Sequence, residues 1–230
     1  RQTLVGASRV LKLGDRSEIS ELTGMLDGIG YHRSGTVMEA GEYAVRGGIV
    51  DVFPSGLENP VRLDFFGDEL EAIRPFDAAS QRSETADGAT NEISLRPVSE
   101  VLLNDAAISR FRSAYRVRFG KGGDDDPLYG TISAGQRYVG MEHWLPFFHE
   151  KLETLLDYLP GAAVVFDHQT IEARDARLDM IAEYFSARCD FAIKDGGGEA
   201  AAYRPVPPET MFLDKQSWAD VLDGRRQQHL

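Results

Sequence analysis

The sequence predicts a mixed α/β chain in which a small α+β unit, an antiparallel sheet with one helix, precedes a largely helical α/β part. Three observations support this fold class. Apolar residues recur at helical spacing at Ile19, Leu22 and Leu26. Between residues 31 and 75, short apolar runs alternate with turn signals, which is typical of antiparallel strands. Later, the continuous apolar run at residues 162–166 is typical of a strand in a parallel sheet.

Composition limits the class of protein. The 230 residues include 25 Lys and Arg against 37 Asp and Glu, a net charge of −12. This balance argues against a large nucleic-acid surface, because neutralising phosphates requires clustered cations. We expect no signal peptide and no membrane partner, since no apolar run approaches the roughly 20 residues that span a bilayer.

The cysteine content and the first residue add two expectations. One cysteine, Cys189, excludes a disulfide scaffold and fits a reducing compartment, so we expect a cytoplasmic protein. Because the chain starts with Arg1 rather than Met, we expect it to be a piece of a longer protein.

The first part of the chain supplies most of the elements. Residues 1–13 are predicted to be an incoming strand and connector, and a helix follows from Ser17 until Gly28 and Gly30 end it. The Gly47–Gly48 pair indicates a bulge or a sharp bend. Strands are predicted at residues 43–45, 49–53, 61–66, 70–73 and 93–95.

The second part is predicted to begin with a helix near Asn104. The strand at residues 162–166 is expected to be buried on both faces, and another helix begins near Thr170. Loops are predicted at residues 77–91, 122–126 and 194–210.

The strand at residues 61–66 carries an unusual outward side chain. Alternation places Val61, Leu63 and Phe65 on the core side and Arg62, Asp64 and Phe66 on the other side. An aromatic ring beside a guanidinium is typical of a protein-docking surface. Two alternatives remain at this point: Phe66 tucks beneath the Gly67–Asp68 turn, or residues 96–120 cover it.

Arg46 precedes the glycine pair and is a second candidate cation. If the hairpin places it beside Arg62, the two form a local positive spot that would attract a carboxylate or a phosphate. The alternative is a pair of ordinary salt bridges with Asp51, Asp64 or Glu71, each of which stabilises the protein little.

No pattern predicts a catalytic, cofactor or metal site. His143 and His149 lack the spacing of metal-binding pairs on a helix, and residues 124–126 lack the alternation of a calcium loop. The glycines at residues 196–198 follow no strand and precede no Lys-Ser/Thr pair, so they are not a phosphate-binding loop.

Long segments of the chain resemble the region shared by UvrB and the transcription-repair coupling factors, the Mfd family. The similarity covers residues 15–190 well and the remainder weakly. It is strongest at residues 42–56, 62–69, 73–77, 81–83, 140–148 and 154–160.

This resemblance implies a division of the chain. Residues 8–76 would be an inserted domain that binds UvrA. Residues 77–230 would be the second part of a degenerate helicase-like α/β domain, with residues 1–7 as its preceding strand.

The resemblance also implies functional residues. The family's two UvrA-contacting arginines and its aromatic residue fall on Arg46, Arg62 and Phe66. RNA polymerase and DNA would contact other domains of the full-length chain.

The resemblance further indicates a non-catalytic docking role in nucleotide excision repair. UvrB-like helicases carry an Asp-Glu pair after the buried strand, where this chain has Asp167, His168 and Gln169, and no Walker A loop is present. We therefore expect neither ATP binding nor hydrolysis. The alternative is a UvrB-like ATP-dependent helicase fragment that binds DNA directly.

Overall fold

The computed structural model describes residues 2–83, 90–120, 126–194 and 204–230. The glycines at 196–198 and most of the acidic run at 124–126 lie outside the described residues, as do parts of the predicted loops. The chain divides into two compact units, Arg1–Asn104 and Asp105–Leu230.

Strands dominate the first unit and helices dominate the second. The helices are α1 (Gln2–Gly6), α2 (Ile19–Gly28), α3 (Asp105–Phe119), α4 (Pro127–Ser133), α5 (Leu155–Tyr158), α6 (Thr170–Lys194) and α7 (Lys215–Leu222). Two further segments, Met141–Phe147 and Pro208–Thr210, are 3-10 helices. The strands are β1 (Arg9–Lys12), β2 (His32–Arg33), β3 (Glu42–Arg46), β4 (Ile49–Val52), β5 (Val61–Phe66), β6 (Glu69–Pro75), β7 (Glu92–Leu95), β8 (Val164–Phe166) and β9 (Gln227–His229).

The first unit is built on a five-stranded sheet in the order β2-β3-β4-β5-β6. Strands β3 to β6 are successive antiparallel neighbours, which confirms the predicted meander. The short strand β2 joins one edge in parallel with β3. With α2, these strands form the small α+β domain that the sequence predicts.

One face of this sheet and helix α2 enclose the main core. Leu22 and Leu26 of α2 lie in the same buried cluster as Val50 and Leu63 of the sheet. Apolar residues three or four apart place both leucines on one side of the helix, which explains why α2 forms there.

Strand β7 folds with the first unit. It pairs antiparallel with β1, and Leu11 and Leu95 are part of the main core. The compact unit therefore extends to Asn104. The predicted domains, residues 8–76 and 77–230, describe an insertion of one domain into another and remain a prediction.

The predicted strand over residues 1–7 is wrong, because Gln2–Gly6 form a short helix. The Ala7 N–H donates to the carbonyl of Thr3, one helical turn earlier. Leu4 packs against the main core while Val5 is exposed. One helical turn is enough to bury a single inward-facing side chain, so this segment needs no pairing with a neighbouring strand.

The second unit has an aromatic core between α3, α4 and the 3-10 helix at Met141–Phe147. Phe111 stacks on Phe148 with ring centroids 4.9 Å apart, and Tyr115 packs against Tyr129 at 5.4 Å. Such ring pairs contribute stability beyond the area they bury.

Strand β8 pairs in parallel with β9, as the apolar run predicts. The expectation that both its faces are buried is wrong, since Val165 is 54% exposed. Its two-stranded sheet buries Phe166 on one side and leaves the Val165 side open. Among the helices described, none combines the length and the apolar character that crossing a lipid bilayer requires.

Candidate docking surface

Strand β5 presents alternate side chains to the core and to the opposite side of the sheet. Val61, Leu63 and Phe65 are buried, whereas Arg62 and Asp64 are partly exposed and Phe66 is exposed. The alternation predicted from the sequence is therefore confirmed. We call the side of the sheet that carries Arg62 and Phe66 the outer face.

Phe66 lies at the end of β5 with its side chain in solvent. It is 77% exposed, which excludes both burial alternatives for this ring. The pairing of β5 and β6 is irregular at Asp64 and Phe65, where Glu71 is the extra residue on β6. The alternation of β5 itself is unbroken, so Phe66 remains on the outer face opposite Glu69.

The Gly47–Gly48 pair is the turn between β3 and β4, so the sharp bend rather than a bulge is observed. Gly47 has a φ of +61°, which side chains other than glycine rarely adopt. Gly48 lies against β5, and its carbonyl accepts a 2.8 Å hydrogen bond from the Phe65 N–H.

Arg62 is held within the outer face by four contacts. Its Nε donates to Asp51 Oδ1 at 2.7 Å, and its Nη2 donates to Asp51 Oδ2 at 2.9 Å. Its Nη1 donates to Ser83 Oγ at 3.2 Å. The guanidinium carbon lies 4.9 Å from the centre of the Phe76 ring, within cation–π range.

Part of the outer face is covered by two other segments of the first unit, one around Val37 and one at residues 76–81. Val37, Ala44 and Phe76 form a small buried cluster there. Gln81 joins the two segments, because its Nε2 donates to the carbonyls of Val37 and Ala78. This cover explains why Asp51, although on the outer face, is buried.

Arg46 and Arg62 share the outer face but are not neighbours. The register pairs Arg46 with Ile49, Ile49 with Asp64, and Asp51 with Arg62. Strand β4 therefore lies between the two arginines, whose own strands are about 10 Å apart, and the register also offsets the arginines by two residues along the strands. The arrangement with Arg46 directly beside Arg62, which the sequence left open as one of two alternatives, is therefore not observed.

The charges of the outer face are unequally compensated. Asp51 pairs with Arg62 and raises the pKa of its guanidinium through their hydrogen bond, and Asp64 pairs with Arg74. Arg46 instead donates to the Gly35 carbonyl and the Thr36 hydroxyl, and no acid within ion-pair distance of it is found in the part of the chain that the structure describes. The salt-bridge alternative holds for Arg62 only, and its acid is buried.

The acid that follows β8 has a local structural role. Asp167 Oδ1 accepts hydrogen bonds from the Gln169 N–H at 3.0 Å and the Thr170 hydroxyl at 2.7 Å, at the start of α6. The hydrogen bond from Thr170, followed by that from Gln169, holds the pKa of the carboxyl below its usual value. No group of three metal-ligating side chains occurs within the described ranges.

Phe76 and Ser83 support the candidate site and were not predicted from the sequence, whereas Asp51 was named there only as one of three possible salt-bridge partners of the arginines. The sequence offers one further signal for the environment of Arg62, namely that the carboxylate of Asp51 lies within the otherwise apolar strand Ile49–Val52. An acid inside a strand of apolar residues indicates a buried partner, and Arg62 is that partner.

Comparisons with known proteins agree with the resemblance seen in the sequence. Residues 10–100 match the family model of the UvrB interaction domain. The chain is 37% identical over 212 residues to the transcription-repair-coupling factor of Escherichia coli K12, which covers 91% of the chain and 17% of that protein.

Two further relatives carry the same description. The factor of Haemophilus influenzae is 39% identical over 169 residues, covering 73% of the chain and 14% of that protein. The factor of Bacillus subtilis is 31% identical over 163 residues, which covers 66% of the chain and 14% of that protein. The chain thus spans less than a fifth of the length of these relatives.

Proposed function

Since residues 10–100 are a UvrB interaction domain and the chain is homologous over most of its length to transcription-repair-coupling factors, we propose that it is a docking region that recruits UvrA in transcription-coupled nucleotide excision repair. The observation that carries this proposal is the exposed ring of Phe66 on the same face as Arg46 and Arg62.

The three side chains supply different parts of an interface. Phe66 offers a large apolar surface at the end of a rigid strand, which suits insertion into a partner's pocket. Arg46 and Arg62 offer N–H donors to acidic groups around that pocket. Aromatic and arginine side chains dominate the binding energy of many interfaces, so few residues suffice.

We assign no chemical step and no cofactor to this chain. Asp167, the acid after β8, accepts hydrogen bonds from Gln169 and Thr170 at the start of α6, and His168 follows it where UvrB-like helicases have a glutamate. A neutral imidazole cannot replace a carboxylate that organises Mg²⁺. The alternative, a helicase fragment, requires ATP turnover by the isolated chain, which a phosphate-release assay measures.

We also assign no direct DNA contact to the chain, because its net charge of −12 opposes binding to phosphates. Contacts with RNA polymerase and DNA are assigned to other parts of the full-length protein. The single Cys189 fits a cytoplasmic location for this chain. DNA affinity that falls steeply with salt would support the alternative instead.

Calorimetric titration of the 230-residue chain with purified UvrA tests the proposal. Phe66→Ala should weaken binding at least about 30-fold, corresponding to a hot-spot loss of about 2 kcal/mol. Phe212→Ala, the same change at an exposed phenylalanine of the second unit, is the matched control and should bind like the wild type. Equal affinities of Phe66→Ala and wild type, or no binding by the wild type, would overturn the proposal.

A further inference from the structure

Asp51 is a buried acid on a face whose other charged side chains are exposed or partly exposed. It is 1% exposed and lies opposite Arg62 in the pairing of β4 and β5. A carboxylate in this position is tolerated because both its oxygens accept hydrogen bonds from one guanidinium. Buried ion pairs often add little net stability, so their retention suggests a role in fixing geometry.

The contacts of Arg62 use three of the five N–H groups of its guanidinium. Asp51 binds the edge formed by Nε and Nη2, at the part-buried side. Ser83 accepts from Nη1 at the exposed side. A guanidinium has five N–H donors, so two of them, on the terminal nitrogens, have no partner among the described residues. The Phe76 ring packs against the Arg62 guanidinium and restricts its rotation.

The pair formed by Arg62 and Asp51 is also neutral as a unit. An acidic partner approaching Arg62 therefore meets two oriented N–H groups rather than a net positive charge. The direction of these groups, set by Asp51, determines whether a carboxylate can bind both of them.

We propose that Asp51 is a positioning residue for docking: it holds the Arg62 guanidinium against the Phe76 ring with its terminal N–H groups directed at a carboxylate of the partner. This inference rests on the proposed function, with UvrA as the partner. Asp51 itself remains buried and touches no partner.

Asp51→Asn separates positioning from charge. The substitution removes a negative charge and leaves Arg62 uncompensated, so a purely electrostatic contribution would tighten binding to an acidic partner. If Asp51 positions Arg62, the affinity of Asp51→Asn for UvrA should instead fall by about tenfold or more, because the amide cannot accept hydrogen bonds from both Nε and Nη2. Asp64→Asn is the matched control, since it removes an acid paired with Arg74 on the same face and should bind at least as tightly as the wild type.

A double-mutant cycle tests whether Asp51 acts through Arg62. Arg62→Gln alone and Arg62→Gln combined with Asp51→Asn should bind UvrA equally, within about twofold, because the group that Asp51 positions is absent from both. Thermal unfolding of each variant establishes that it is folded at the temperature of the titration. If Asp51 were only structural, the double variant would bind more weakly than Arg62→Gln, because the losses of affinity from the two substitutions would add.

Arg62→Lys keeps the test decisive if Asp51→Asn does not fold. Lysine retains a cation for Asp51 but lacks the further N–H donors of a guanidinium. The Arg62→Lys variant should therefore bind UvrA no better than Arg62→Gln. Wild-type affinity for Arg62→Lys or Asp51→Asn, tighter binding by Asp51→Asn, or additive losses would each overturn the inference. A wild-type chain that does not bind UvrA would instead overturn the proposed function itself.

Discussion

The carbonyl oxygen of Phe65 lies directly over Gly48, where a side chain at Gly48 would begin. A Cβ atom there would be 2.7 Å from that oxygen. The backbone N–H of Phe65 donates to the Gly48 carbonyl from the same position. The turn between β3 and β4 and the end of β5 are therefore fixed to each other through backbone atoms that cannot move apart independently.

Gly48→Ala should destabilise the first unit by about 1–3 kcal/mol, because the added methyl group meets backbone rather than a flexible side chain. Chemical denaturation followed by circular dichroism measures this change. Gly24→Ala is the control: Gly24 lies in α2 with open space around it, and alanine there should stabilise the helix by about 0.5–1 kcal/mol. Equal stabilities of Gly48→Ala and wild type would contradict the crowding at Gly48.

The fold of the first unit could largely be predicted from the sequence. The period-two pattern of β5 and the glycines at the end of α2 are local signals, and both are confirmed. The helix at Gln2–Gly6 could not be distinguished from a strand, because five residues contain too little periodicity. The exposure of Val165 depends on whether another element packs against its face of the sheet, which no local pattern contains.

Stability of the first unit should depend on pH through Glu42. Its Oε2 accepts hydrogen bonds from the N–H groups of Met38 and Glu39, at 2.8 and 3.0 Å. These bonds, that of Met38 first, hold the pKa of Glu42 below its ordinary value. A carboxyl with a lowered pKa in the folded state stabilises the protein above its unfolded pKa of about 4.3, and this contribution is lost as the pH falls through the folded value.

Glu42→Gln should therefore lower the melting temperature at pH 7, and the difference from the wild type should shrink as the pH falls below about 4. Melting curves across this range provide the measurement. Glu39→Gln, which changes an exposed carboxylate of the same segment, should not reproduce the pattern. A difference that stays constant down to pH 2 would contradict the role of the Glu42 carboxylate.

Arg46 should account for most of the salt dependence of docking. Arg46→Gln should weaken binding to UvrA about fivefold at low salt, and the loss should shrink as added salt shortens the range of the attraction. Arg62→Gln combined with Asp51→Asn should give a loss that changes little with salt, because the two substitutions remove equal and opposite charges. Titrations at low and high NaCl compare the two variants, and identical salt slopes would contradict this assignment.

The candidate site could be predicted only in part. Alternation along β5 identified Arg62 and Phe66, because both depend on neighbours within the same strand. The environment of Arg62 depends on Phe76 and Ser83, which lie beyond β6 and reach the outer face through the fold of the chain. Contacts between segments so far apart leave no periodic signal in the sequence.

Gln81 joins segments that are 44 residues apart in the chain, where its side chain binds Val37. The setting of Arg62 is thus assembled from β4, β5 and a distant loop, and it exists only when all three are folded together. A linear peptide copied from residues 61–66 would display the Phe66 ring without the oriented arginine. Inhibitors of this interface consequently need a scaffold that reproduces the sheet, because a short epitope mimic retains only its apolar part.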